Sequence, residues 1–290
     1  MLQKPYNVWP SPRLVTGVNA RLWDKLALLF AANTMASTGG STLVDSKGAP
    51  MGDLTAGSTL QWRGTPYGLG VGISGASDVL EQANFEPITT SDGAGTGDLT
   101  MIVLANPGAE ARISMGLSQG NSANNTTLFL GFNTANSLAT ATSGAFCFTT
   151  RQGASTTGAS IASVVDGNYH LFGGRRRGTN VDCFADNLVA TASGTIQDIT
   201  PGTGGIAIGH RAERATDRIA TTTSIVLAAA WNRALTDAEM RLLADDPFCM
   251  FRPEEFYYKA AAAAGNYGRL INPSGYVGGG GYLVGGGLAA

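Results

Sequence analysis

Between about Ser58 and Trp231 the chain is a succession of short runs with strand chemistry, each cut off by a cluster of Gly, Asn, Ser or Thr. The plainest are Leu99 to Leu104, Arg112 to Met115, Thr127 to Phe132, Ala145 to Phe148, Tyr169 to Phe172, Val181 to Phe184, Gly205 to Ile208 and Ser224 to Leu227. Strands at this spacing, with turn residues between them, are the mark of an antiparallel sandwich or barrel. Some runs alternate, as in Val181, Cys183 and Ala185 against Asp182, Phe184 and Asp186, which predicts a half-exposed strand. Others are apolar on both faces and belong at the centre of a sheet. The composition agrees. Only 14% of the residues are charged, against about 25% in an average soluble domain, and the 40 glycines are about twice the usual share.

At the N-terminal end, Leu22, Leu26, Leu29 and Phe30 have helical spacing, while Leu26, Leu28 and Phe30 also alternate. We read a turn at Arg21 to Asp24 leading into a strand. One helix is well signalled. Thr236-Asp-Ala-Glu239 is a capping box, Leu235, Ala238 and Leu242 share the face behind it, and Pro247 ends it. After Phe251-Arg-Pro253 the composition changes to alanine, tyrosine and glycine. This divides the chain into a domain over 1–252 and an arm over 253–290. Fixing a glycine backbone costs on the order of 1–2 kcal/mol per residue, so such an arm is ordered only where partner contacts offset that cost. Tyr257, Tyr258, Tyr267, Leu270, Ile271, Tyr276, Tyr282 and Leu283 are the side chains expected to make them on a neighbouring subunit.

Net charge is −2, which lacks the basic field that phosphate contacts need, so a nucleic-acid partner is not expected. The longest uncharged apolar run, Ile225 to Trp231, is far short of a membrane span. Lys4, Pro5 and Pro10 stand where a secretory signal would need an apolar stretch, so no exported precursor is expected. Cys147, Cys183 and Cys249 are odd in number and lie in apolar surroundings. They read as small buried hydrophobes made in a reducing compartment, not as disulfides or metal ligands.

The chemical motifs are few. Gly70-Val-Gly72-Ile-Ser-Gly75 matches a dinucleotide fingerprint in letters, but no helix pattern follows it and the chain is not a series of βαβ units, so it reads as a glycine-rich strand and bend. His170 and His210 are the two histidines. Neither has the neighbours of a nucleophile triad or a zinc site, and no catalytic or metal residue is assigned. His170 reads as structural, and His210, beside Arg211, Arg214 and Arg218, as solvated. The Arg175-Arg176-Arg177 run reads as a hairpin tip facing water, with an inter-subunit contact to carboxylates as the alternative. Trp231 is expected in the core. Trp62, followed by Arg63 and close to Tyr67, either packs in the core or forms with them a surface for stacking on a sugar.

From Asp166 to Pro253 the sequence resembles the C-terminal half of a concanavalin A-like lectin/glucanase jelly roll of the laminin-G-like and pentraxin-like kind. The resemblance is carried by Gly167-Asn-Tyr169-His170, the strand from Asp182 to Asp186-Asn187, Ile206-Ala-Ile208-Gly209, the apolar run Ile225 to Trp231, and Asn232-Arg-Ala-Leu-Thr-Asp-Ala-Glu239. In the first half only the rhythm matches, through Leu26 to Phe30, Trp62 and Tyr67-Gly68. The ending Pro247-Phe-Cys-Met-Phe251-Arg-Pro253 is similar to one seen in many bacteriophage and prophage proteins of this class.

The resemblance implies an all-β antiparallel jelly-roll sandwich with one short C-terminal helix. It also implies a choice between enzyme and binder. Retaining glucanases of the superfamily carry Glu-x-Asp-x-x-Glu on one strand, which sets nucleophile and acid on one face. No glutamate here is followed two residues later by aspartate, so activity as a polysaccharide-degrading enzyme is not expected. Relatives often bind Ca²⁺, and Asp92 and Asp98 around a glycine loop are the residues that could offer oxygens for it, but their spacing fits no EF-hand and turn formation is the plainer reading, so no cofactor is expected. The resulting expectation is a non-enzymatic virion structural protein, made in the bacterial cytoplasm and placed at the tail tip or a tail fibre. Its partners would be other virion proteins, copies of itself and host-surface glycan. The alternative is a capsid decoration protein.

Overall fold

The structure, a computed structural model, describes residues 21–32, 42–44, 50–53, 55–56, 61–72, 80–107, 114–121, 126–132, 145–153, 155–164, 166–199, 204–211, 214–218 and 224–251. The arm and its eight anchor residues lie outside the described residues. In chain order the strands are β1 (Leu26–Ala31), β2 (Thr42–Val44), β3 (Pro50–Asp53), β4 (Thr55–Ala56), β5 (Gln61–Thr65), β6 (Gly68–Gly72), β7 (Leu80–Gln82), β8 (Leu99–Asn106), β9 (Ser114–Asn121) and β10 (Thr126–Phe132). They continue with β11 (Phe146–Gln152), β12 (Ser155–Ile161), β13 (His170–Arg177), β14 (Asn180–Ala185), β15 (Leu188–Ser193), β16 (Gly205–Ile208), β17 (His210–Arg211), β18 (Arg214–Arg218) and β19 (Ser224–Trp231). A helix, α1 (Asp237–Asp245), follows.

The strands form two large antiparallel sheets. One runs β15, β14, β13, β8, β19, β1, β2, β3, with β6 joining β19 at Ile225 beyond the end of β1 and β5 pairing with β6. The other runs β12, β11, β10, β9, β16, β7, β4, and β17 and β18 make a separate ribbon. Between the large sheets lies a core built from alternate residues. Leu28 and Phe30 of β1, Met101 and Val103 of β8, Leu130 and Phe132 of β10, and Phe146 and Phe148 of β11 all point into it. Phe132, Phe146 and Phe172 meet there with ring centroids 4.6–5.3 Å apart, a spacing favourable for aromatic pairs.

A second core explains the strands that are apolar on both faces. The outer face of the larger sheet carries Leu29, Ile102, Leu104, Val226 and Ala229, and these are covered by Trp23, Met240, Leu243 and the turn Phe248 to Phe251. The larger sheet is therefore the middle of three layers. Its strands bury both sides, which removes the pressure for polar residues on either.

The run Asn232-Arg233-Ala-Leu235-Thr236 fastens this outer layer. Asn232 accepts from the Thr89 amide at 2.9 Å. The Arg233 guanidinium donates to both oxygens of Glu239, at 3.0 and 2.9 Å, and to the Arg21 carbonyl at 2.7 Å. Thr236 and Glu239 form the expected capping box at the start of α1, and Trp231 donates its indole N–H to the Leu22 carbonyl at 2.6 Å. The N-terminal segment is a turn through Lys25 followed by strand β1, as the alternation suggested.

Three readings are corrected by the third layer and the ribbon. Strand β14 is not half exposed. Val181, Cys183 and Ala185 face the inter-sheet core, while Asp182 and Phe184 are buried on the other side. The arginine run is not a solvated hairpin tip: Arg175 and Arg176 are each 1% exposed. They point to opposite faces of β13 because successive strand residues must, and both faces are covered. His210 is buried, not solvated. It sits on β17, which packs over β9, and its carbonyl accepts from Ser118 Oγ at 3.1 Å.

Candidate functional site

The side chains of β13, β14 and β15 that point away from the inter-sheet core meet the edge of α1 and leave a cleft of about 520 Å³. Its floor is an ion network. Asp182, 1% exposed, accepts from Arg175 Nε and Nη2 at 2.9 and 2.7 Å, from Thr191 Oγ1 at 2.8 Å and from Arg177 Nη2 at 3.1 Å. Arg175 also donates to the Leu235 carbonyl at 2.6 Å, pairs with Asp237 at 2.7 Å and lies over the Phe184 ring, 4.9 Å from its centroid. Hydrogen bonding from Arg175 lowers the Asp237 pKa. The network ties β13, β14, β15 and α1 into one rigid base.

The walls are open to solvent. Asp186, Asn187, Val189 and Arg241 line them, and Val189 is 56% exposed, next to Leu188 at 58%. Guanidinium groups from Arg175, Arg177 and Arg241 stand against carboxylates from Asp182, Asp186 and Asp237, so the cleft is close to neutral. It presents donors, acceptors and one apolar surface. That combination suits a polyhydroxylated ligand, whose hydroxyls need both kinds of partner and whose C–H face needs an apolar one.

The sugar-stacking residues expected from sequence are only partly together. Trp62 is at the surface of the β5–β6 hairpin, 42% exposed, and Arg63 donates to Gln61 Oε1 at 2.8 Å. Tyr67, at the turn of that hairpin, instead packs edge-on against Tyr169 at 5.9 Å and tilts on Phe248 at 6.4 Å. Burial, and then the charge of Asp186, raise the Tyr67 pKa. Asp186 thus joins the aromatic corner to the cleft. Composition offered no signal for the cleft, because its residues come from three strands and a helix.

The glycine loop between Asp92 and Asp98 does not fit a calcium ion. Asp92 is held by the hydroxyls of Thr90 and Thr96 at 2.5 and 2.6 Å and by the Ala94 amide at 3.0 Å. These hydrogen bonds, Thr90 first, hold its pKa well below the usual carboxylate range. Asp98 accepts from the Gly178 amide at 2.9 Å. The loop carbonyls of Gly95 and Gly97, with that of Gln197, receive the Arg176 guanidinium at 2.6–2.9 Å, so a bound cation would face a fixed positive charge. Burial lowers the Arg176 pKa, against the pull of Asp92, Asp98 and Asp198. Among the described residues, no group of three or more His, Cys, Asp or Glu is placed to hold a metal.

No protein-family model and no curated protein sequence matches the chain. Solved structures do. The binding domain of botulinum neurotoxin DC, in complex with SialylT, superposes with a TM-score of 0.55 at 12% identity, over 77% of this chain and 52% of that one. The binding domain of Paraclostridial Mosquitocidal Protein 1 gives 0.56 at 10% identity, over 82% and 57%. A botulinum neurotoxin type C structure, from work on cell entry dependent on two ganglioside molecules, gives 0.56 at 12% identity, over 83% and 56%. The chain spans little more than half the length of these structures. At such identity the likeness is one of fold, and it places the chain among all-β sandwiches of the kind found in these toxin binding domains.

Proposed function

We propose that the protein is a non-enzymatic virion structural protein of a bacteriophage, at the tail tip or a tail fibre, whose sandwich binds host-surface glycan. The observation that carries the binding half is the cleft over β13 to β15, with a rigid ion-paired base, near-neutral walls and an exposed apolar side chain. Exposed Trp62, with Arg63 and Tyr67 on the same hairpin, is the second surface proposed to touch sugar. The virion half is supported by the similarity of Pro247 to Pro253 to phage endings and by the composition of residues 253–290. On this reading the arm, through Tyr257 to Leu283, docks on copies of the chain or on other virion proteins.

Binding is tested with the full chain on immobilised lipopolysaccharide, capsular polysaccharide and teichoic acid. Retention without release of reducing sugar is expected, and Asn187→Ala and Val189→Asp should each weaken it about tenfold, or about 1.4 kcal/mol, at unchanged thermal stability. No retention on any polymer, or turnover that one Asp or Glu substitution abolishes, overturns the binding reading.

Deleting the residues after Pro253 should leave a folded sandwich that no longer enters the particle. Incorporation at normal copy number would remove the assembly role of the arm. Gold labelling of intact particles separates the tail from the capsid, and label on the capsid shell would favour a decoration protein.

A further inference from the structure

His170 opens β13 with a carboxylate on each ring nitrogen. Nδ1 is 2.6 Å from Asp186 Oδ2 and Nε2 is 3.0 Å from Asp166 Oδ1. A neutral imidazole has one N–H and one lone pair, so it can satisfy one of these oxygens and must repel the other. Only the imidazolium donates to both. The two carboxylates are not equally fixed. Asp186 Oδ1 also accepts from the Leu171 amide at 2.8 Å, and the Asp186 amide donates to the Leu171 carbonyl at 2.8 Å. Asp166 belongs to an exposed bend, where it also accepts from Asn168, at 2.9 Å from the amide and 3.0 Å from Nδ2.

We propose that Asp166, His170 and Asp186 form a proton-held clamp on the rim of the cleft. When His170 loses its proton, Asp166 detaches from the ring, and Asp186 stays in place without the positive charge of the imidazolium beside it. The consequence for ligand rests on the reading of the cleft as the binding site, because Asp186 and Asn187 line it. The clamp itself does not.

Among the described residues, the groups facing the ring are few. Asp166 comes from the bend and Asp186 from the β14–β15 turn. Strand β8 places uncharged Ala105 opposite, and the Phe172 ring packs edge-on at 5.6 Å. Tyr67 lies beyond Asp186. Burial alone would lower the His170 pKa, but the hydrogen bonds and charges of Asp186 and Asp166 overcome it and raise the value above 6.5. Hydrogen bonds from Asn168, then from His170, lower Asp166 to about 2. For a raised histidine the stabilisation is complete below 6.5 and is lost as pH rises through the folded value. For the lowered aspartate it is complete above 3.8 and is lost as pH falls towards about 2. The clamp is therefore tightest between these limits.

The test is an NMR titration of the full chain, following the His170 ring, whose signal is identified by its loss in His170→Gln. A midpoint above 6.5 is expected, and Asp166→Asn, at an exposed position, should lower it by roughly one pH unit. Amide exchange at Asn168 should rise above the midpoint while Leu171 stays protected. A midpoint at or below 6.5, no response to Asp166→Asn, or release of Leu171 in place of Asn168 overturns the clamp. None of these readouts needs a ligand, so they stand apart from the polysaccharide assay that decides the cleft.

Discussion

Replacing Arg175 by methionine should destabilise the sandwich by about 3–5 kcal/mol, because breaking a buried ion pair leaves a charge without its partner. Asp182 is 1% exposed and takes two of its four hydrogen bonds or ion contacts from Arg175. Arg177 and Thr191 remain but cannot replace a guanidinium that donates twice to one carboxylate oxygen. The Leu235 carbonyl loses its 2.6 Å donor as well, so the start of α1 loosens. The double variant Arg175→Met with Asp182→Leu should recover much of the loss, since removing both charges also removes the desolvation penalty. Urea unfolding of the two single variants and the double variant measures the coupling. If Arg175→Met shifts the midpoint no more than an exposed substitution does, the network contributes nothing to stability.

Adding one carbon at position 174 should also destabilise the sandwich, by a different route. Gly174 lies inside β13, between Met101 of β8 and Cys183 of β14, and its face is pressed against Phe148 of the opposite sheet. A Cβ built there would stand 2.0 Å from Phe148 Cγ and 2.2 Å from Cδ2. No rotation of the Phe148 ring relieves that contact, because Phe148 Cβ itself is 2.5 Å away. The sheets would have to part locally, and overpacking of this kind costs on the order of 1–3 kcal/mol or more. Gly174→Ala should therefore lower the urea midpoint strongly, and Phe148→Leu should soften the penalty when combined with it. By contrast Gly64, where an added Cβ meets nothing within 4 Å, should accept alanine with little change. Equal effects at 64 and 174 would show that inter-sheet spacing at Gly174 is not a constraint.

How far the sequence carried depends on the range of the interaction involved. Strands β8, β16 and β19 were legible as apolar runs between turn residues, and the start of α1 from Thr236 and Glu239, because turn chemistry and capping act within a few residues. Strands β12 and β15 were missed. Their residues, Ser155 to Ile161 and Leu188 to Ser193, are mostly small and polar, and a strand at the edge of a sheet buries too little to show a hydrophobic period. The resemblance from Asp166 to Pro253 carried the sandwich itself. It could not show that Asp182 and Phe184 lie under a third layer, since their exposure depends on Met240 and Leu243 arriving from more than fifty residues away. Arg175 and Arg176 illustrate the same limit. By their own neighbourhood they are a charged run beside a glycine turn. Asp182 and Asp237 on one face, and the carbonyls of Gly95, Gly97 and Gln197 on the other, make them buried structural cations. Local sequence determined the apolar central strands and where the helix would begin. Only the tertiary structure decided which charges would be inside, because burying a charge requires partners that no local pattern supplies.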